Sequence, residues 1–179
     1  MAKTTKILGL DPGETTGWAL VEADGAGAGV VRVVDHGVVV AEGDPPSEAD
    51  VLTTTRRELA AMLAVMKEDG VARVALEAPV RGRGFNDWLT NEVRGVCKEA
   101  VGAAGLTWCL VAQNTAKAAV GVKPARRKKG EPRLARNAVK EAVKVAVEAR
   151  FGLAGLSYHE ADAVACAVAL VKEPKWTSS

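Results

Sequence analysis

Two apolar runs in this chain stop on a carboxylate, and that pattern limits what it can fold into. Ile7-Leu8-Gly9-Leu10 ends at Asp11, and Val71-Ala72-Arg73-Val74-Ala75-Leu76 ends at Glu77. The second run has no room to alternate, as expected of a strand covered on both faces. Glu77 is followed by Ala78-Pro79, and proline cannot continue a central strand, so the carboxylate is held at the strand's end. A third acid, Asp162, opens the last apolar helix with His159 before it. Carboxylates at the ends of buried strands are costly unless something cationic offsets them. Three that converge point to a site for divalent metal ions, and phosphodiester hydrolysis is a chemistry that uses one.

The length of 179 residues suits one domain, 1–179, with a single substantial core. A hydrophobic share of 48% against 26% charged residues reads as soluble and globular rather than disordered. The net charge of +2 does not by itself announce a nucleic-acid binder. The distribution says more. Lys123, Arg126, Arg127, Lys128, Lys129, Arg133 and Arg136 crowd a basic loop at about 121–136, opposed only by Glu131. Such a cluster makes a strong local positive field. No targeting or membrane segment is visible, since the first apolar stretch is too short for either. Cys97, Cys109 and Cys166 lack CxxC-type spacing. They read as small buried hydrophobes in a reducing cytoplasm.

Three strands come first: Lys6–Leu10, then Gly17–Glu22 after an Asp-Pro-Gly turn, then Val30–Val40 after the Gly/Ala-rich turn at Asp24–Gly29. Short connections make them antiparallel neighbours. Ser47 is a good N-cap for a helix running to about Asp69, where Gly70 stops it. Val71–Leu76 is the fourth strand, a helix over about Asn86–Ala103 follows, and Leu106–Val111 is the fifth strand. Beyond the basic loop lie helices at about Leu134–Phe151 and Tyr158–Lys172. The order βββαβαβαα predicts an α/β fold. Its mixed five-stranded sheet joins an antiparallel meander to parallel strands and is flanked by helices.

Asp11 lies in Gly9-Leu10-Asp11-Pro12-Gly13-Glu14-Thr15-Thr16-Gly17. The bland account is a hairpin whose aspartate caps the turn, and Glu77 alone could be an arginine's salt-bridge partner. Together they would repel at adjacent strand ends, and a hard dication with oxygen ligands resolves this. His159 and Asp162, three apart, share a helix face. Ser157 and Glu160 match a capping box, which gives Glu160 a structural task. Asp11, Glu77, His159 and Asp162 are therefore the candidate metal ligands and catalytic residues. They could hold two ions roughly 4 Å apart, one activating water and the other stabilising the leaving 3′ oxygen. The products would be 5′-phosphate and 3′-hydroxyl ends. Imidazole suits Mn²⁺ better than Mg²⁺. Lys117 is the candidate cation for transition-state charge, with a solvated loop lysine as its alternative.

These motifs resemble the RuvC-like Holliday junction resolvases of the RNase H-like superfamily, over almost the whole chain. Ile7-Leu8-Gly9-Leu10-Asp11-Pro12-Gly13 followed by Thr16-Gly17 resembles the first acidic motif, and Val74-Ala75-Leu76-Glu77 the second. Arg94-Gly95-Val96 lies where the family often has a similar Arg-Gly step. Thr115-Ala116-Lys117-Ala118-Ala119-Val120-Gly121 resembles the Lys-Val-Gly region before the DNA-contacting segment. Ala161-Asp162-Ala163-Val164-Ala165 resembles the closing Ala-Asp-Ala-Leu-Ala. Many members carry Asp three residues before that aspartate, and some carry His, as here. The resemblance implies an RNase H-like fold, a homodimer, dependence on Mg²⁺ or Mn²⁺, and symmetrical nicking of four-way DNA junctions.

Arg81 and Arg83, just after Glu77, are candidate phosphate contacts. Phe85 is a candidate wedge against an unstacked base; Trp88 reads first as core and second as such a wedge. Lys123, Arg126, Arg127, Lys128 and Lys129 form a candidate backbone clamp. Three other readings stay open. One is a nucleotide-binding protein of the actin-like or sugar-kinase type, whose phosphate hairpin Asp11–Gly17 resembles, although the length allows only one lobe. The others are a non-catalytic junction binder and a nuclease that also cuts forks, flaps or RNA–DNA hybrids.

Overall fold

The computed structural model describes residues 4–24, 29–79, 88–122 and 136–172. Its strands are β1 (Thr4–Asp11), β2 (Thr15–Asp24), β3 (Val30–Val40), β4 (Val71–Glu77) and β5 (Thr107–Val111). They form one sheet in the order β3-β2-β1-β4-β5. β1–β2 and β2–β3 pair antiparallel, whereas β1–β4 and β4–β5 pair parallel. The expected mixed sheet is therefore present. The helices are α1 (Glu48–Glu68), α2 (Trp88–Ala103), α3 (Gln113–Ala119), α4 (Arg136–Phe151) and α5 (Tyr158–Lys172). Ser47 caps α1 in a reciprocal box with Asp50, and Gly70, at φ +85°, takes the left-handed conformation just past the helix's end.

One element departs from expectation. The stretch after β5 forms the short helix α3 where sequence patterning gave only loop. Ala112 at its N-cap supplies no side-chain bond, so the usual start signal is missing. Packing fixes the helix instead: Arg150 Nη1 and Lys172 Nζ both donate to the Ala119 carbonyl, at 3.0 and 2.7 Å.

Alternation along the strands sorts the two cores. Leu8, Leu10, Leu20, Val74 and Leu76 pack with α1 and α2, while Ile7, Ala19, Val21 and Ala75 pack with α3, α4 and α5. By the same period of two, Asp11 and Glu77 belong to the α5 face. That face is paved with small residues. Gly9 pairs with Ala19 on one side and Ala75 on the other, and Asp11 pairs with Gly17. A Cβ at Gly9 would run into the Ala163 carbonyl, and one at Gly17 into the backbone of His159. α5 answers with Ala163 and Ala167, one turn apart, which meet the sheet at Gly9. The helix thus lies close on the sheet, with its first turn beside the ends of β1 and β2.

Gly17→Ala should therefore displace that turn. A destabilisation of about 1–3 kcal/mol is expected from overpacking. Thermal unfolding would show it as a lower Tm, whereas an unchanged Tm would mean the helix is free to shift.

Candidate metal and catalytic site

β1, β4 and β5 run parallel, so their C-terminal ends lie at one edge of the sheet. In open α/β sheets that edge is where ligands bind. Here it opens into a cleft of about 490 Å³ lined by Asp11, Glu77, His159 and Asp162, together with the β1–β2 turn, α2, Gln113, Asn137, Lys140 and Tyr158. Four residues expected from sequence to form a site are thus brought to one cleft from β1, β4 and the first turn of α5.

Asp11 and Glu77 retain only 7% and 8% of their exposure. His159 Nδ1 stands 2.9 Å from Asp11 Oδ2. Burial pushes the Glu77 carboxyl up to about 9, reinforced by the Asp11 charge, by a hydrogen bond shared with Asp11 and by the Asp162 charge; a hydrogen bond from Gln113 opposes the rise. Asp162 is pushed up to about 6 by burial and by Asp11, against the lowering charges of Lys140, Lys117 and His159. The cluster crowds negative charge in a buried place, and that crowding raises both carboxyls.

Glu160 takes the structural part expected of it. Its Oε2 accepts from Ser157 N at 2.7 Å, and its own N–H donates to Ser157 Oγ at 3.2 Å. Its other oxygen lies 2.7 Å from His36 Nδ1 on β3. This tie was not visible in sequence, because the two residues are far apart in the chain. It straps the start of α5 to the sheet beside His159.

Lys117 is on α3 rather than in a loop. It is near enough to Asp162 to lower its carboxyl, but Lys140 of α4 is the stronger influence and lines the cleft. Sequence reasoning missed Lys140, Gln113 and Arg94. Gln113 could have been suspected from its position just after a strand that ends at this edge; Lys140 gave no signal on an otherwise ordinary amphipathic helix. Trp88 corrects the core reading: it is 46% exposed and donates from Nε1 to Glu48 Oε1 at 3.1 Å. Cys97 and Cys166 are buried as expected, while Cys109 is half-buried. Arg81, Arg83, Phe85, Lys123, Arg126, Arg127, Lys128 and Lys129 lie outside the described residues, as do the expected helix starts at Asn86 and Leu134.

The donor chemistry of the cleft, three carboxylates and an imidazole, fits a hard or borderline dication. Among the described residues no group of three His, Cys, Asp or Glu side chains is already gathered around a metal position. Added positive charge would relieve the crowding that raises the Glu77 carboxyl. No helix among the described residues is long and apolar enough to cross a membrane.

No family model and no curated protein matches the sequence. Solved structures do. The RuvC structure of Thermus thermophilus aligns at a TM-score of 0.68 and 22% identity, covering 92% of each chain. T. thermophilus RuvC in complex with a Holliday junction substrate aligns at 0.68 and 20% identity, again covering 92% of each chain. The fold is RuvC-like.

Proposed function

We propose that this chain is a metal-dependent, structure-selective DNA endonuclease that resolves four-way junctions by paired, symmetrical nicks. The observation that carries the reading is the convergence of Asp11, Glu77 and Asp162, with His159, at the carboxyl edge of a RuvC-like sheet. One of the similar structures is a complex with a Holliday junction substrate, which supports branched DNA as the ligand.

Asp11, Glu77, His159 and Asp162 would hold Mg²⁺ or Mn²⁺, two ions per site. When bound, the ions supply a water that deprotonates near neutral pH and charge neutralisation at the attacked and leaving oxygens. The residues of the chain do the rest. The burial of Asp11 and Glu77 keeps bulk water from screening the charges that face the phosphodiester. His159 Nδ1 orients the Asp11 carboxylate. Lys117 and Lys140, whose charges reach Asp162, are placed to offset the negative charge that develops on the phosphorus centre. Cleavage would leave 5′-phosphate and 3′-hydroxyl ends.

Arg81, Arg83, Phe85, Lys123, Arg126, Arg127, Lys128 and Lys129 are proposed DNA contacts. Symmetrical cleavage needs two sites facing two strands, which a homodimer provides.

The test is cleavage of a synthetic four-way junction beside linear duplex, fork and RNA–DNA hybrid, with Mg²⁺, Mn²⁺ or EDTA. Paired nicks confined to the junction and lost with EDTA are expected. Equal cutting of forks and hybrids would widen the activity to branched substrates in general. An absence of cutting with either metal would overturn the reading.

A further inference from the structure

Arg94 is an arginine without an acidic partner, buried at the edge of the cleft. It retains 5% of its exposure, and among the described residues no carboxylate forms an ion pair with it. Its bonds go to neutral acceptors: Nε donates to the Glu77 carbonyl at 2.9 Å, and Nη1 to Asn91 Oδ1 at 2.7 Å. The remaining terminal nitrogen, Nη2, has no partner among the described residues. Yet no fully buried side-chain nitrogen or oxygen among them lacks one, so Nη2 is not wholly enclosed, and Arg94 lines the cleft.

Burying an uncompensated guanidinium costs several kcal/mol unless something offsets the charge. Among the described residues no carboxylate oxygen accepts a hydrogen bond from Arg94. The leading influences on Glu77 are burial, Asp11, Asp162 and Gln113, and those on Asp162 are burial, Asp11, Lys140, Lys117 and His159; Arg94 is in neither group. Fixed by two bonds, the guanidinium plane has lost its freedom before any ligand arrives, which lowers the entropy lost on binding. Planar N–H groups on a held fork suit phosphate oxygens.

We propose that Arg94, oriented by Asn91 and the Glu77 carbonyl, is a phosphate subsite. It would receive a backbone phosphate of the strand lying in the cleft, adjacent to the phosphodiester presented to the carboxylates. The inference rests on the nuclease reading for the identity of the strand, but not for the anion chemistry. Because the Nε bond goes to the backbone of Glu77, occupation of the subsite would also fix where the strand lies relative to that carboxylate.

The experiment follows the Arg94 Nε–H signal by NMR in the full chain, in EDTA. It is titrated separately with inorganic phosphate and with a short single-stranded oligonucleotide. DNA affinity against salt is measured beside it for wild type, Arg94→Lys and Arg94→Gln. Saturable movement of the Arg94 signal with both probes is expected. Arg94→Gln should weaken binding and reduce the slope of log K against log salt by about 1, while Arg94→Lys should keep most of that slope.

A signal unmoved by either probe would overturn the subsite, and so would an Arg94→Gln variant that loses Tm with affinity and slope unchanged. If Arg94→Gln does not fold, the wild-type titration and Arg94→Lys decide. Movement with phosphate in a protein that cuts no junction would keep the subsite and sink the substrate reading. Junction cleavage with an unmoved Arg94 would do the reverse.

Discussion

Asp11→Asn and Glu77→Gln should each reduce junction cleavage by on the order of 10³-fold while leaving junction binding intact or tighter. The magnitude is that of losing one preorganised group at the point where charge develops. Both substitutions are nearly isosteric and neither adds charge to a buried cluster, so neither should unfold the chain. Binding should not suffer, because neither amide adds negative charge against a phosphate approaching the cleft. The two variants differ in one respect. Asp11 lies 2.9 Å from His159 Nδ1, so Asp11→Asn also takes the carboxylate charge from the imidazole's partner, whereas Glu77→Gln leaves that pair in place. Single-turnover cleavage with saturating protein, beside binding in EDTA, separates the chemical step from affinity. Wild-type cleavage by either variant would remove that residue from the site, and a parallel collapse of binding would mean the carboxylates shape the fold rather than the reaction.

Much of this arrangement was legible in the sequence because it follows from periodicity. Two apolar runs ending in carboxylates, read with a period of two, put Asp11 with Ile7 and Gly9, and Glu77 with Ala75, on one face. The Ser157–Glu160 box fixed the start of α5, and spacing then put His159 and Asp162 on a shared face. What stayed hidden depends on contacts between distant residues. α3 has seven residues and no capping side chain, so propensity gives it no start. His36 meets Glu160 because the start of α5 lies against the edge strand β3. Arg94 and Trp88 each reverse the ordinary expectation for their type, the first buried and the second exposed. Both reversals occur on α2, at its first residue beside α1 and nearly two turns on beside Glu77. Patterning assigns residues to faces and does not show which neutral oxygen will receive a buried guanidinium.

The same crowding of acids predicts a conflict between stability and activity. In the metal-free protein Glu77 keeps its proton up to about 9, while an ordinary glutamate in the unfolded chain loses it near 4.5. Asp162 behaves likewise between 3.8 and about 6. Over these windows the folded state binds more protons than the unfolded one, so stability falls as pH rises. The Glu77 contribution is fully present below about 4.5 and is lost as pH climbs through about 9. Unfolding by denaturant in EDTA should therefore show a decline on the order of a few kcal/mol between about pH 5 and pH 9. Glu77→Gln cannot ionise, so its profile should be flatter over that range, and at pH 8 to 9 it should be more stable than wild type. A divalent ion replaces the proton's positive charge, so added Mg²⁺ or Mn²⁺ should stabilise wild type most at high pH and Glu77→Gln little. If wild type is equally stable at pH 5 and pH 9 without metal, Glu77 is not held protonated. If the variant is the less stable at pH 9, the buried carboxylate supports the fold. The expected result is the opposite on both counts: a carboxylate kept for chemistry in a place where folding alone would favour an amide.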